Sequence, residues 1–370
     1  MIELFSTKRQ KGDSPFKIAI RRLRRHRLAM IGLYVLLVLY STAILARWLA
    51  PYPYDETFRQ NANQPPTQIH FIDAKGNFHI RPFIYCYNVK IDQETYARKY
   101  RPDTSHPYPI QFFIYRSEFN QGRKIQQAFH LYGVQEPALF FLFGSDASGR
   151  DIFSRIIFGG RISLSIGLVG ILISFSIGMI LGGISGYLGG IVDYLLMRFS
   201  EIIMMIPGLF LMLTLRAAFL GFNLNSVQVY LMVVIILSFI HWAGLARVIR
   251  GMVLSIRERE YALAAQTLGA STPRIILKHI LPNTVSFAII SATLSIPGYI
   301  LGESALSLLG LGIVEPQSSW GNMLSAAKNV ASIENYPWIL IPGIFIFISI
   351  LAFNFLGDGL RDAFDPGLEV

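Results

Sequence analysis

The chain has 370 residues, 52% of them hydrophobic and only 15% charged, with a formal net charge of +10. So low a charge content excludes an ordinary water-soluble globular composition and points to a membrane protein. The one cysteine, Cys86, excludes an intrachain disulfide and a multi-cysteine metal site.

Positive charge gathers at the start. Nine lysines and arginines lie within residues 1–27, including Arg21, Arg22, Arg24, Arg25 and Arg27, opposed only by Glu3 and Asp13. A basic run beside an apolar one resists translocation, so this segment is expected to be cytoplasmic rather than a nucleic-acid-binding arm. A first membrane helix is expected within residues 28–50, with its apolar run from Leu28 to Ala46. Arg47 and Trp48 stand where a signal peptide would need small residues for cleavage, so the helix is read as retained. Five further windows meet the roughly 20 apolar residues that a bilayer core demands: Ile162–Leu181, Leu195–Leu220, Val227–Ala246, Val285–Gly302 and Trp338–Phe355. Six spans place both termini on the cytoplasmic side.

Residues 51–151 differ in character and are expected to form an extracytoplasmic insert with mixed or β structure. Asp73-Ala74-Lys75-Gly76-Asn77 reads as a turn between two short apolar alternations, a hairpin signal, and another strand is expected over Ile110–Tyr115. Just before the second span stands Phe143-Gly144-Ser145-Asp146-Ala147-Ser148-Gly149-Arg150-Asp151, followed by Ser154-Arg155, Gly159 and Arg161. Asp146, Arg150 and Asp151 are candidates for a gate or receptor-side contact. A capped helix whose arginines meet headgroups or carboxylates is the simpler account.

The segment 152–356 is read as the membrane core. Glycines 178, 182, 186 and 190 recur every fourth residue and let helices approach closely. Arg198 and Glu201 stand at pairing distance on a helix, and Pro207 is placed to kink the third span. About residues 251–282 lies a cytoplasmic loop: a charged, alanine-rich helix through Arg257, Glu258, Glu260, Leu263, Ala264 and Ala265, a stop at Gly269, and a second helix that Pro273 starts. A break follows at His279-Ile280-Leu281-Pro282. Ala262, Ala264 and Ala265 are small enough to enter a groove of another protein. Glu303 closes the fifth window. It is expected at the outer interface, the other reading being a carboxylate that faces a water-filled path or a partner. Trp320 is expected to anchor at the outer surface. Residues 357–370 read as a cytoplasmic tail.

Three of these segments resemble the permease subunits of ABC importers. Leu263-Ala264-Ala265, Gly269, His279 and Leu281-Pro282 stand at the spacing of that family's cytoplasmic loop, with Leu263 in place of the usual glutamate and His279 in place of isoleucine. The block at Gly144–Arg161 and the block Gly302-Glu303-Ser304 through Trp320-Gly321-Asn322 resemble the second permease type of the dipeptide, oligopeptide and nickel branch. The tail around Asp365-Pro366 is similar as well.

The resemblance implies an all-α polytopic membrane protein with six helices of the ABC importer permease fold, in a bacterial cytoplasmic (inner) membrane. It implies that residues from about Arg257 to Gly269 dock on an ATPase. The implied partners are a second homologous permease, one or two ABC ATPase subunits and an extracytoplasmic substrate-binding protein, with membrane lipid around them. The chain itself has no Gly-Lys pair and hence no phosphate-cradling loop of that type, so no cofactor is expected on it. ATP and Mg belong to the partner ATPases. Two other readings are a secondary transporter, for which only Glu303 and Arg216 offer intramembrane charge, and a membrane-anchored sensor or enzyme that uses the insert. His70, His79, His106 and His130 of that insert match no metal-ligand spacing.

Overall fold

The structure is a computed structural model that describes residues 15–364, apart from 92, 94–97, 121–122, 220 and 223. The basic residues before position 15 and the tail that holds Asp365-Pro366 lie outside the described residues.

A basic amphipathic helix α1 (Pro15–Arg25) leads into α2 (Arg27–Ile44), where the ring of His26 accepts the Ala29 N–H at 3.2 Å and caps the helix start. A turn of helix, α3 (Ala46–Leu49), ends in the insert. There β1 (His70–Ile72), β2 (Phe78–Ile91) and β3 (Arg98–Pro109) form an antiparallel sheet, and β4 (Gln111–Asn120) pairs with β5 (Arg123–Gly133). The 73–77 turn joins β1 to β2 as its composition suggests, with the Asp73 carboxylate accepting the N–H groups of Lys75 and Asn77. Ile84, Ile110, Ala138 and Phe140 make a small core of their own.

The membrane helices follow: α4 (Ile152–Leu188), α5 (Gly190–Met205), α6 (Gly208–Ala218) and α7 (Ser226–Ile256). The connecting segment carries α8 (Glu260–Thr267) and a single turn, α9 (Thr272–Arg274), before α10 (Val285–Leu308). Short helices α11 (Trp320–Met323) and α12 (Val330–Asn335) precede α13 (Ile341–Phe364). Several helices outrun their apolar windows. At about 1.5 Å per residue the 37 residues of α4 reach about 55 Å, well beyond a core of about 30 Å.

The third window is not one straight helix. It is the pair α5 and α6, bent by 92° at Ile206-Pro207. Whether this pair crosses is answered by its neighbours. Along the α4–α7 contact Ser165 meets Tyr230, Gly170 meets Ser238, and Gly182 and Gly186 meet Ala246 and Arg250. Both numbers rise together, so α4 and α7 run parallel, and the chain between them must return from one end of the bundle to the other. Asp193 of α5 binds Arg250 at one end, and Arg216 of α6 donates to the Leu311 carbonyl at the opposite end. Helices α2, α10 and α13 complete six crossings that alternate in direction. In consequence α1, α8 and the end of α13 share one end, where His26 meets Asp362 at 3.3 Å, while the insert and the segment after α10 share the other.

The glycine row is resolved by these contacts. Gly178, Gly182 and Gly186 face α7 within this chain, whereas Gly190 lies past the helix stop at Gly189 (φ 65°) and meets nothing. The small residues at 178, 182 and 186 serve packing within this chain.

Candidate functional site: the two ends of the helix bundle

At the α8 end, the helix stops because Gly269 takes φ 76°, which only glycine adopts without strain. The Ala270 N–H then closes on the Ala265 carbonyl and the Gly269 N–H on that of Gln266, satisfying carbonyls at the helix end. Ala262 and Ala265 turn inward and are buried, so they are not groove-entering side chains. Leu263 and Ala264 are exposed, and Leu268 is 87% exposed. Glu258 and Glu260 are exposed beside them. The outward surface of α8 is therefore apolar at its centre, with exposed Glu258, Arg259 and Glu260 at its start.

Pro282 does not break the chain into two helices. From Ile275 to Ile280 the backbone widens into a π turn, with the Leu281 N–H bonded to the Ile276 carbonyl, and a tighter turn over Leu281–Thr284 leads into α10. This widened turn accommodates the proline, which has no N–H to give and crowds the preceding turn. Leu281 and Ile276 are buried facing Gly183 of α4; His279 is half-buried and Pro282 exposed.

This connecting segment is tied to the bundle by charge. Arg250 grips Asp193 through Nε at 3.0 Å and a terminal nitrogen at 2.5 Å, Ser185 donates to the same carboxylate, and Arg257 donates to the Gly186 carbonyl. Arg257 thus serves the joint between α7 and α4, not the outer surface of α8. The Arg198–Glu201 pair forms at 3.0 Å, with Arg247 3.6 Å from Glu201.

At the insert end, Asp146, Arg150 and Asp151 are drawn into two separate structures. Asp146 accepts from Arg150 Nε at 2.8 Å and from Arg155 at 3.1 Å, and both arginines also bind Glu315, 160 or more residues along the chain. Arg155 is 2% exposed and Glu315 49%. A cavity of about 80 Å³ opens against this cluster, lined by Ser148, Asn322 and Met323 among others. Glu315 is the member that sequence reasoning missed; nothing local marks it. Asp151 is instead the buried N-cap of α4, accepting the Ser154 N–H at 2.8 Å and its hydroxyl at 2.5 Å. Burial pushes its carboxyl up to about 7 against the opposing pull of the Ser154 bonds. Arg161 caps the other neighbour, donating to the carbonyls of Ala43 and Ile44 at the end of α2.

Glu303 and Trp320 are both buried inside the protein, so Trp320 is not an exposed anchor. Glu303 is 0% exposed and accepts from Ser307 at 2.6 Å and Ser163 at 3.3 Å. Each serine in turn accepts a backbone N–H, Ile313 on Ser307 and Trp320 on Ser163, so the carboxyl organises the return of the chain after α10. Trp320 is 1% exposed, its indole donating to the Ile156 carbonyl at 2.9 Å and its ring packing near Gly160. Burying so large a ring with its N–H satisfied is stabilising, which an exposed anchor would forgo. Among the described residues no group of three or more histidine, cysteine or acidic side chains is placed to hold a metal.

Comparison with known proteins identifies the family. Residues 178–370 match the family described as binding-protein-dependent transport system inner membrane component, and residues 14–66 match the N-terminal TM domain of oligopeptide transport permease C. The dipeptide transport system permease protein DppC of Bacillus subtilis is 34% identical over 95% of this chain and 85% of its own length. The oligopeptide transport system permease protein OppC of the same organism is 32% identical over 97% and 92%. That of Haemophilus influenzae is 47% identical over 61% of this chain and 70% of its own length. On these matches, the chain belongs to the family of binding-protein-dependent transport system inner membrane components, as a permease subunit.

Proposed function

We propose that this chain is one wall of the solute path in an ATP-driven, binding-protein-dependent importer of peptides or related small solutes, and that α8 is its docking element for an ATPase. The observation that carries the reading is α8 itself: a short helix held from behind by buried Ala262 and Ala265, with Leu263, Ala264 and Leu268 turned outward at one end of the bundle. Arg21, Arg22, Arg24 and Arg25 lie on α1 at that same end, which by the distribution of positive charge is cytoplasmic in a bacterial inner membrane. Both termini then face the cytoplasm, and the insert lies outside, where a substrate-binding protein delivers cargo. The peptide class follows from the names of the relatives.

In this reading the chain performs no covalent chemistry. ATP and Mg are held on one or two separate ATPase subunits, and a second homologous permease faces the inner surfaces of the third to fifth spans. Closure of the ATPases pushes α8, and the Arg250–Asp193 and Arg257–Gly186 ties pass that push to α5 and α4. Rocking of the bundle exposes the path to the outside, and release returns it, which is alternating access by rigid-body movement.

Gly269 supplies the test, because a side chain there meets nothing within this chain. Gly269→Ala should cost only the backbone strain of a positive φ, about 1 kcal/mol, and leave some coupling. Gly269→Trp should separate ATP hydrolysis from uptake or prevent co-purification of the ATPase. Normal uptake by both variants overturns the docking role. A Leu268→Cys variant in a Cys86→Ser background should also crosslink to the ATPase subunit in the assembled transporter.

A further inference from the structure

His241 stands midway along α7, at membrane depth, and nothing derived above uses it. Ionisable side chains at that depth are costly and tend to mark paths for solute or ions. Its ring is fixed from two sides. It stacks on Tyr299 of α10, with centroids 4.4 Å apart and planes 29° from parallel, and Tyr299 is itself buried with its hydroxyl on Ser174 at 2.5 Å. Nδ1 lies 2.8 Å from the Leu237 carbonyl, one turn back. A carbonyl only accepts, so Nδ1 carries a proton, and in the neutral form of the ring Nε2 is left as an acceptor.

His241 is half-buried, and Nε2 lies against an exposed position of α10. Its neighbour on α10 is Gly298, where an added Cβ would stand 3.4 Å from Nε2, and Gly298 is exposed. Leu301, one turn on, is exposed as well. Beside His241, Ile240 meets Gly208 at the start of α6, just past the 92° bend. The ring therefore sits where the third, fourth and fifth spans converge, at the edge of a face that this chain leaves uncovered.

We propose that His241 lines the solute path and presents Nε2 as a hydrogen-bond acceptor to N–H groups of a peptide-like cargo. This rests on the reading above that the path runs along the third to fifth spans. Peptides fit the chemistry because backbone amides and an N-terminal ammonium are donors, and a lone acceptor on a rigid ring suits cargoes of varied side chain.

The test uses the whole transporter, with its partner subunits, in proteoliposomes and a Cys86→Ser background. A charged, membrane-impermeant thiol reagent should modify His241→Cys at least tenfold faster than Val234→Cys, a buried position on the same helix. Equal, slow modification in every nucleotide state overturns the assignment to the path. Uptake of radiolabelled tri-alanine then separates the acceptor from the stack. His241→Phe keeps a ring on Tyr299 but no acceptor, and His241→Gln keeps an acceptor but no ring. The proposal expects a three- to tenfold lower maximal uptake for the Phe variant, the worth of one neutral hydrogen bond, with the Gln variant close to the parent. The opposite ranking assigns His241 to packing alone and overturns the acceptor role. If the parent transporter takes up no tri-alanine, the peptide reading and the amide contact fail together, while the labelling rates still decide whether His241 lines the path.

Discussion

Replacing glycine by alanine at three positions measures how closely α4 and α7 are packed. At Gly182 an added Cβ would stand 2.5 Å from the Ala246 carbonyl oxygen and 3.0 Å from the Cβ of Ile249. At Gly186 it would stand 2.8 Å from the Arg250 carbonyl oxygen and from the Cβ of Val253. Neither obstacle is the end of a flexible side chain, so the helices must part by several tenths of an ångström. Gly251, on the exposed side of α7, meets nothing within 4 Å. All three substitutions gain the same intrinsic helix preference, up to about 1 kcal/mol. Only the first two carry an overpacking cost, about 1–3 kcal/mol. Gly182→Ala and Gly186→Ala should thus fall below Gly251→Ala by about 1–3 kcal/mol. The assay is reversible unfolding of the purified chain in mixed detergent and dodecyl sulfate micelles, followed by tryptophan fluorescence. Three equal shifts would refute the contact argument, since they would leave intrinsic preference as the sole effect.

Two further outcomes concern the insert end. The raised carboxyl of Asp151 holds its proton in the folded chain after an unfolded chain has released it, so its contribution is complete below about pH 4 and is lost as pH rises through about 7. Asp151→Asn keeps an oxygen for the Ser154 N–H without titrating. The parent should therefore lose about 1.4 kcal/mol per pH unit relative to this variant between roughly pH 5 and 7, read from paired unfolding curves, and parallel curves would contradict it. In the ion cluster, Arg155→Ala strips a buried cation from two carboxylates and should cost about 3–5 kcal/mol, whereas Glu315→Ala leaves Arg155 on Asp146 and should cost about 1 kcal/mol or less. Thermal unfolding of the two variants side by side checks the ranking.

What the sequence discloses and what it withholds divide along chain distance. The places of the spans, the Gly269 stop and the 73–77 turn depend on residues within a few positions of one another, and hydropathy, spacing and turn chemistry expose them; the helix lengths and the start of α8 at Glu260, three residues past Arg257, do not follow from them. The 92° bend is half legible: Pro207 marks the place, but the angle follows from packing on α7. Glu315 was invisible because its partners Arg150 and Arg155 stand 165 and 160 residues before it in the chain. The burial of Trp320 and Glu303 is hidden for a related reason. A tryptophan or carboxylate beside an apolar run usually meets the interface, and only the fold shows Gly160 and the serines of α4 and α10 receiving them. His241 carries no motif, so its setting between Leu237, Gly298 and Tyr299 had to be seen.

The glycines of α4 constrain how this subunit is able to move. Gly167 and Gly170 receive Ile296 and Tyr299 of α10, Gly182 and Gly186 receive the α7 backbone, and Gly183 receives Ile276 and Leu281. At each of these points one partner is bare main chain, with no rotamer to change. In the reading proposed above, a push arriving at α8 would meet α4, α7 and α10 already seated on one another at these glycines, and would move the three as one body rather than slide one helix past the next.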